Sequence, residues 1–345
     1  MVSRCFCRVI ASPLMRLALL FAALSISLFA AKTLDVYFID VEGGQATLFV
    51  SPSGQSMLVD TGWPGFNARD ANRIIAAAKH AKIKKIDYVV ISHHHADHVG
   101  GAKQLAERIP VGMFIDKGPS VETSAQAREL AQMYQDALAK SEHRVVKPGD
   151  TIPVKGLDIK VVTANGDHIN DSGPANSFCE GVKKDKEDPS DNARSVGMII
   201  GYGKFKMIDL GDLTWNKELE LVCPNNRIGT VDVYLTTHHG LAASNAPPIV
   251  NALKPRVAIM NNGARKGGMP EAWKVIKAVS GLEDMWQVHF AVAGGKETNV
   301  PDMFIANLGE GGDDPGNYIK LSANADGSFT VYNARNKYSK SYPAR

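Results

Sequence analysis

The chain has 345 residues, 44% of them hydrophobic and 22% charged, an ordinary globular balance with enough apolar residues for one sizeable core. Its net charge of +3 gives no electrostatic case for nucleic acid as an obligate partner, because such binders concentrate basic residues on one face. Heptads, internal repeats and low-complexity tracts are lacking, which sets aside coiled coils, solenoids and biased-composition chains.

Taken in chain order, Arg4, Arg8 and Arg16 precede the apolar run Leu17–Ala31, which is too short to span a bilayer comfortably and ends in small residues. Residues 1–31 therefore read as a secretory signal peptide, and the mature chain, 32–345, as periplasmic or secreted. An uncleaved anchor is the alternative, because Leu28 stands where cleavage prefers a small residue. No other membrane contact is expected. Removing the segment takes Cys5 and Cys7 with it and leaves Cys179 and Cys223, which can pair in an oxidising compartment if their Cα atoms come close enough.

Leu34–Asp40, Ala46–Ser51 and Gln55–Asp60 alternate as strands and are joined by Gly-containing turns, which predicts an antiparallel meander. A helix follows over Ala68–Ala81. The basic run Lys79–Lys85 at its end reads as a solvated helix terminus, with phosphate binding as the alternative. Next comes the β-branched run Tyr88–Ser92, and directly behind it His93-His94-His95-Ala96-Asp97-His98. Alternation along that strand sends His93 and His95 to one side at its exit, and the turn into Val99-Gly100-Gly101 can bring Asp97 and His98 round to meet them. Imidazole and carboxylate are ligands for zinc, iron and manganese, and without a metal such crowded groups would repel one another on protonation. Buried structural histidines are the plainer alternative.

Val99–Arg108 and Thr123–Lys140 have helical spacing, Thr123 being the expected cap. His143 falls in a polar loop. His168 follows the strand Leu157–Thr163 and could reach the metal cluster. Residues 170–192 are long for a connection and lack periodicity, so they read as a mobile loop or lid. Strands at Val196–Tyr202 and Lys204–Asp209 lead to Gly211-Asp212, and Val231–Thr236 closes on His238-His239-Gly240. A helix at Ala246–Leu253 and a strand at Arg256–Met260 follow. Asn261–Arg265 is either a turn or a source of substrate contacts. Residues 294–345 read as a C-terminal β extension, with a hairpin made of Tyr318–Ala323 and Ser328–Tyr332. Asp313 and Asp314 lack the spaced ligand series of a calcium loop. Two β-rich halves flanked by helices imply an α/β (α+β) fold, a four-layer αββα sandwich with ligands gathered at strand ends along one rim.

The His-x-His-x-Asp-His spacing resembles the signature of the metallo-β-lactamase fold superfamily. Several further segments match it in chain order. Met57-Leu58-Val59-Asp60-Thr61-Gly62 resembles the strand that ends in Asp-x-Gly, whose aspartate orients the metal site through hydrogen bonds. The resemblance implies that His93 and His95 hold one metal, that Asp97 and His98 hold a second, and that Asp212 bridges the two. His239, followed by glycine, completes the second position, with His238 as its alternative. A further histidine of the superfamily pattern falls to His168 or is replaced by the segment around Asn192 and Ser195. That replacement, together with Asp40–Thr47 and His238-His239-Gly240, resembles the hydrolase-like domain of competence-type DNA-uptake proteins, although Glu42, Gln45 and Leu241 depart from it.

The implied activity is metal-dependent hydrolysis using one or two Zn²⁺ ions, with Mn²⁺ or Fe²⁺ possible, and with Asp97 also moving protons as general acid. A phosphoester or phosphodiester is the expected bond, carried by a small-molecule or other phosphoester substrate. A β-lactam, amide or thioester is the alternative, and a non-catalytic binding protein on the same scaffold is the alternative of another class. Oligomeric state is left open.

Overall fold

The computed structural model describes Met1, residues 32–310 and residues 315–345, so the signal-peptide reading and Asp313 and Asp314 fall outside the described segments. Thr33–Arg345 form one compact unit. The chain first lays down β1 (Leu34–Phe38), β2 (Thr47–Val50) and β3 (Ser56–Val59), and then β4 (Ile86–Val90), β5 (Val111–Asp116) and β6 (Glu142–Val145). It crosses to a second sheet with β7 (Asp158–Ala164), β8 (Asp167–His168), β9 (Gly197–Tyr202), β10 (Phe205–Asp209), β11 (Val233–Leu235), β12 (Val257–Met260), β13 (Asp284–His289) and β14 (Ile305–Asn307). It then returns to the first with β15 (Ile319–Ala323), β16 (Phe329–Asn333) and β17 (Ser339–Tyr342). The orders are β17-β16-β15-β1-β2-β3-β4-β5-β6 and β14-β13-β12-β11-β10-β9-β7-β8.

Strand alternation explains the layers. Leu34, Val36 and Phe38 of β1 join Val233 and Leu235 of β11 and Val257 and Ile259 of β12 in the core between the sheets. Their neighbours face outward. Tyr37 and Ile39 meet α1 (Arg69–His80), α2 (Ala96–Val99), α3 (Ala102–Ala106) and α4 (Ala125–Leu138) in one outer core. Tyr234, Ala258 and Met260 meet α5 (Trp215–Val222), α6 (Pro247–Leu253) and α7 (Pro270–Lys277) in the other. In α1 the buried Ala71, Ile74, Ala77 and Ala78 recur at helical spacing, which is why this segment packs as a helix. The αββα sandwich expected from the sequence is the fold observed.

Several local expectations change. The metal-bearing strand stops at Val90, so His93 and His95 leave from a loop and not from alternating strand positions. Ser124, not Thr123, caps α4, its hydroxyl accepting from the Ala127 N–H at 3.1 Å. The tail divides: β14 extends the second sheet, while β15–β17 extend the first and make β1 an interior strand. The 170–192 connection is fastened by a disulfide between Cys179 and Cys223, whose Cα atoms lie 5.7 Å apart, and by an Ala175–Asn225 bridge. Among the described residues no helix is long and apolar enough to cross a membrane.

Candidate metal centre

β3, β4 and β5 run parallel in the first sheet and β10, β11 and β12 in the second, so their carboxyl ends line one rim, where open α/β sheets bind ligands. Asp60 follows β3, His93–His98 follow β4, Asp212 follows β10, and His238 and His239 follow β11. Asp60, His238 and His239 all hold positive φ, 62°, 55° and 55°. Residues with a Cβ carry strain there, and such strain is typical of functional turns.

Two groups of candidate ligands form. His93 Nε2 and His95 Nδ1 stand 3.1 Å apart. Asp97, His98, Asp212 and His239 each offer an atom within 4.8 Å of the others. Asp212 joins the two groups. Its Oδ2 lies 3.1 Å from His98 Nε2, 3.3 Å from His238 Nε2 and 4.0 Å from His93 Nε2, while its Oδ1 lies 3.3 Å from His239 Nε2. His98 Nε2 and His239 Nε2 are 3.2 Å apart, and Asp97 Oδ2 faces both, at 3.2 Å and 3.3 Å. Both members of the histidine pair thus meet Asp212, but only His239 also meets Asp97 and His98. His238 turns its Nδ1 to the Ser244 hydroxyl at 3.2 Å.

These donors fit a divalent cation. Asp212 Oδ1 is buried with no hydrogen-bond partner, as is His239 Nδ1, and an orphaned carboxylate oxygen inside a cage of imidazoles is costly unless a cation meets it. Burial alone would raise the Asp212 carboxyl, but the imidazoles of His239, His98 and His238 outweigh it and hold the group well below the usual range. Burial likewise opposes charge on His98, and Asp212, Asp97 and Asp60 override it. Asp60 sits behind the ligands. Its carboxylate accepts from the Ser92 N–H at 2.7 Å and hydroxyl at 2.6 Å and lies 2.7 Å from His98 Nδ1, fixing that ring with Nε2 toward the centre.

Ser195 borders the site: its hydroxyl accepts from the Asp212 N–H at 3.2 Å and lies 3.4 Å from His93 Nδ1. Asn192 contributes through its backbone: its carbonyl accepts from the Ser195 N–H at 3.1 Å and so shapes the turn. His168 is not brought to the cluster. Its Nδ1 turns to the Ile169 carbonyl at 2.7 Å, and the residue lines a separate hollow with Lys217 and Glu220, because β8 lies at the far edge of its sheet.

Sequence reasoning missed four residues. Glu122 Oε1 lies 3.3 Å from His95 Nε2. Asp191 accepts from the His94 N–H at 2.8 Å and pairs with the buried Lys117 at 2.9 Å. Lys266 bonds Asp97 Oδ2 and stands 5.3 Å over the Trp63 ring. Its loop begins one residue past the Asn261–Arg265 segment, whose Asn261 instead bonds Gln45 at 3.3 Å. A Cβ at Gly267, φ +80°, would lie 2.3 Å from the His239 carbonyl, so glycine is needed for this loop to press against the histidine pair. Glu218 accepts from the Asn245 and Ala246 N–H groups at 2.9 Å and 2.8 Å and so anchors the loop that follows the pair.

Burial pushes the Glu218 carboxyl up from 4.5 to about 7. The folded protein therefore holds a proton that the unfolded chain releases between about pH 4.5 and 7, and stability falls as pH rises through that window. Glu218→Gln is expected to shrink the loss of unfolding free energy between pH 5 and pH 8 by about 2.5 kcal/mol, read from urea denaturation at both values. An unchanged pH slope would contradict this.

Residues 39–175 match the model of the metallo-beta-lactamase superfamily. The chain is 26% identical over 183 residues to ComE operon protein 3 of Bacillus subtilis (strain 168), a match covering 52% of this chain and 20% of that protein. It is 27% identical over 184 residues to a metal-dependent hydrolase of Anaeromyxobacter dehalogenans, covering 52% and 59%. A solved structure similar to it is the metallo-beta-lactamase fold protein YhfI from Bacillus subtilis, with 12% identity, 74% and 96% coverage and a TM-score of 0.47. The chain spans less than two thirds of the length of these two curated relatives.

Proposed function

We propose that this chain, whose residues 39–175 match the model of the metallo-β-lactamase superfamily, is a metal-dependent hydrolase of phosphoester or phosphodiester bonds that acts outside the cytoplasm. The observation that carries the hydrolytic reading is Asp212, a buried carboxylate from the second sheet facing His238 and His239 of its own sheet and His98 of the first, with Asp97 in the same group. His93 and His95 would hold one cation, and Asp97, His98 and His239 another, with Asp212 between them. The set suits Zn²⁺ first and Mn²⁺ or Fe²⁺ next. Bound there, such a cation supplies a water whose pKa falls from about 16 toward about 7 and polarises the scissile group.

The protein's own groups set the rest. Asp60 and Ser92 keep His98 in one tautomer. Although burial alone would raise it, the Asp97 carboxyl is held well below the usual range by His98, His239 and Lys266. Asp97 therefore begins ionised and must accept a proton before giving one to a leaving group. The Lys266 ammonium, part-exposed beside Asp97, favours an anionic substrate, and this inclines the reading to phosphoesters over neutral lactams. The apolar run Leu17–Ala31 supports export.

The test is a screen of the metal-loaded protein against chromogenic phosphodiester, phosphomonoester, thioester and lactam substrates. Turnover confined to phosphoesters is expected. A response confined to lactams or thioesters would overturn the bond assignment, and less than about one transition metal per chain would leave a binding protein in its place.

A further inference from the structure

Beside the metal centre the surface folds inward along α4. One hollow, of about 300 Å³, is lined by His95 and Asp97 of the centre together with Leu130. A second, of about 450 Å³, is lined by Pro119, Ala131, Tyr134, His143 and Val145. The two share His94, Glu122 and Ala127, so they meet as one cleft leading away from the ligands. Its combined size is that of a small-molecule site.

The walls are specific in chemistry. Asp116, buried at the base, accepts from the Tyr134 hydroxyl at 2.8 Å and from the Gly118 N–H at 2.8 Å, and pairs with His143 Nε2 at 2.8 Å, so both rings are fixed in place. His94 lies between two of the proposed ligands in sequence yet serves neither group. Its ring packs edge-on to Tyr134 with centroids 5.4 Å apart. It is only 8% exposed, and its Nδ1 makes no hydrogen bond, the nearest acid being Asp191 at 3.5 Å. Ala127 and Ala131, one turn apart on α4, keep the mouth open where longer side chains would fill it. Apolar walls thus alternate with imidazole and, at the rim, Ser120, Gln135 and Arg128. An alkyl chain would waste the polar groups and a sugar would waste the apolar ones. A flat heteroaromatic ring, with apolar faces and a hydrogen-bonding edge, uses both.

We propose that this cleft receives a planar heteroaromatic group, such as a nucleobase, carried by the substrate next to the bond being hydrolysed. The inference rests on the phosphoester reading above. Titration calorimetry of the metal-loaded protein with adenosine monophosphate and with ribose phosphate, which lacks the base, tests it. The base-bearing ligand is expected to bind about ten-fold more tightly, the scale of one base stacked in a protein pocket. Ala131→Trp, at an exposed helix position, fills the mouth; it should bring adenosine monophosphate down to the ribose phosphate affinity while leaving ribose phosphate binding and metal content unchanged. Val145→Trp on the opposite wall should do the same. Equal affinities in the unaltered protein, a base preference that survives both substitutions, or an equal loss for both ligands would each overturn the cleft assignment. Base preference without phosphoester turnover would instead sink the reaction assignment and leave the cleft standing; phosphoester turnover without base preference would do the reverse.

Discussion

Asp212→Ala is expected to lower kcat/KM by about 10³-fold, the upper range for losing one preorganised electrostatic group, and to strip metal from the purified protein. The carboxylate is buried and faces His98, His238 and His239 within 3.3 Å, so no neighbouring group can replace it. His98, whose Nε2 lies 3.1 Å from Asp212 Oδ2, would lose its nearest carboxylate at the centre. His95→Ala should abolish turnover as well, since His95 Nδ1 is the partner of His93 Nε2 in the other ligand group. Metal content by elemental analysis and turnover on the substrate class found in the screen give the two readouts, with circular dichroism to check the fold. Full activity in either variant would refute the assignment.

Replacing both cysteines, Cys179→Ser with Cys223→Ser, is expected to cost about 4 kcal/mol of stability, because the bridge closes a loop with a sequence separation of 44 and so restricts the unfolded chain. The loss should appear as a lower urea midpoint. Turnover at low temperature should persist, since the bridge ties the 170–192 connection to the end of α5 and touches no ligand of the centre. A midpoint unmoved by the double substitution, or by reduction of the unaltered protein, would show that the loop is held by its other contacts.

How much was legible in the residues follows from how local each signal is. The meander, α1 and the terminal hairpin carry their periodicity in the chain itself, and their bounds were read to within a few residues. The αββα layering followed from two β-rich halves with helices between strands. That His93–His98 would gather was legible because these residues stand together in sequence, and that Asp60, Asp212 and the histidine pair would join them because each closes an apolar strand. Glu122, Asp191 and Lys266 were not legible: they lie in loops without periodicity, and their roles arise from pairings across long sequence separations, 169 residues between Lys266 and Asp97. His168 misled for the complementary reason. It follows a strand as the proposed ligands do, but that strand's neighbours place it at a sheet edge far in order from β10 and β11. The strain at His238 and His239 is a backbone property that side-chain spacing does not encode.

The rim where the two sheets meet has one more implication. Four of the proposed ligands, His93, His95, Asp97 and His98, hang from the first sheet and two, Asp212 and His239, from the second, so a cation gripped by both would act as a rivet through the sandwich. Loosening the sheets and releasing the ion then draw on the same free energy, and the protein's resistance to unfolding becomes a gauge of how much metal its surroundings contain.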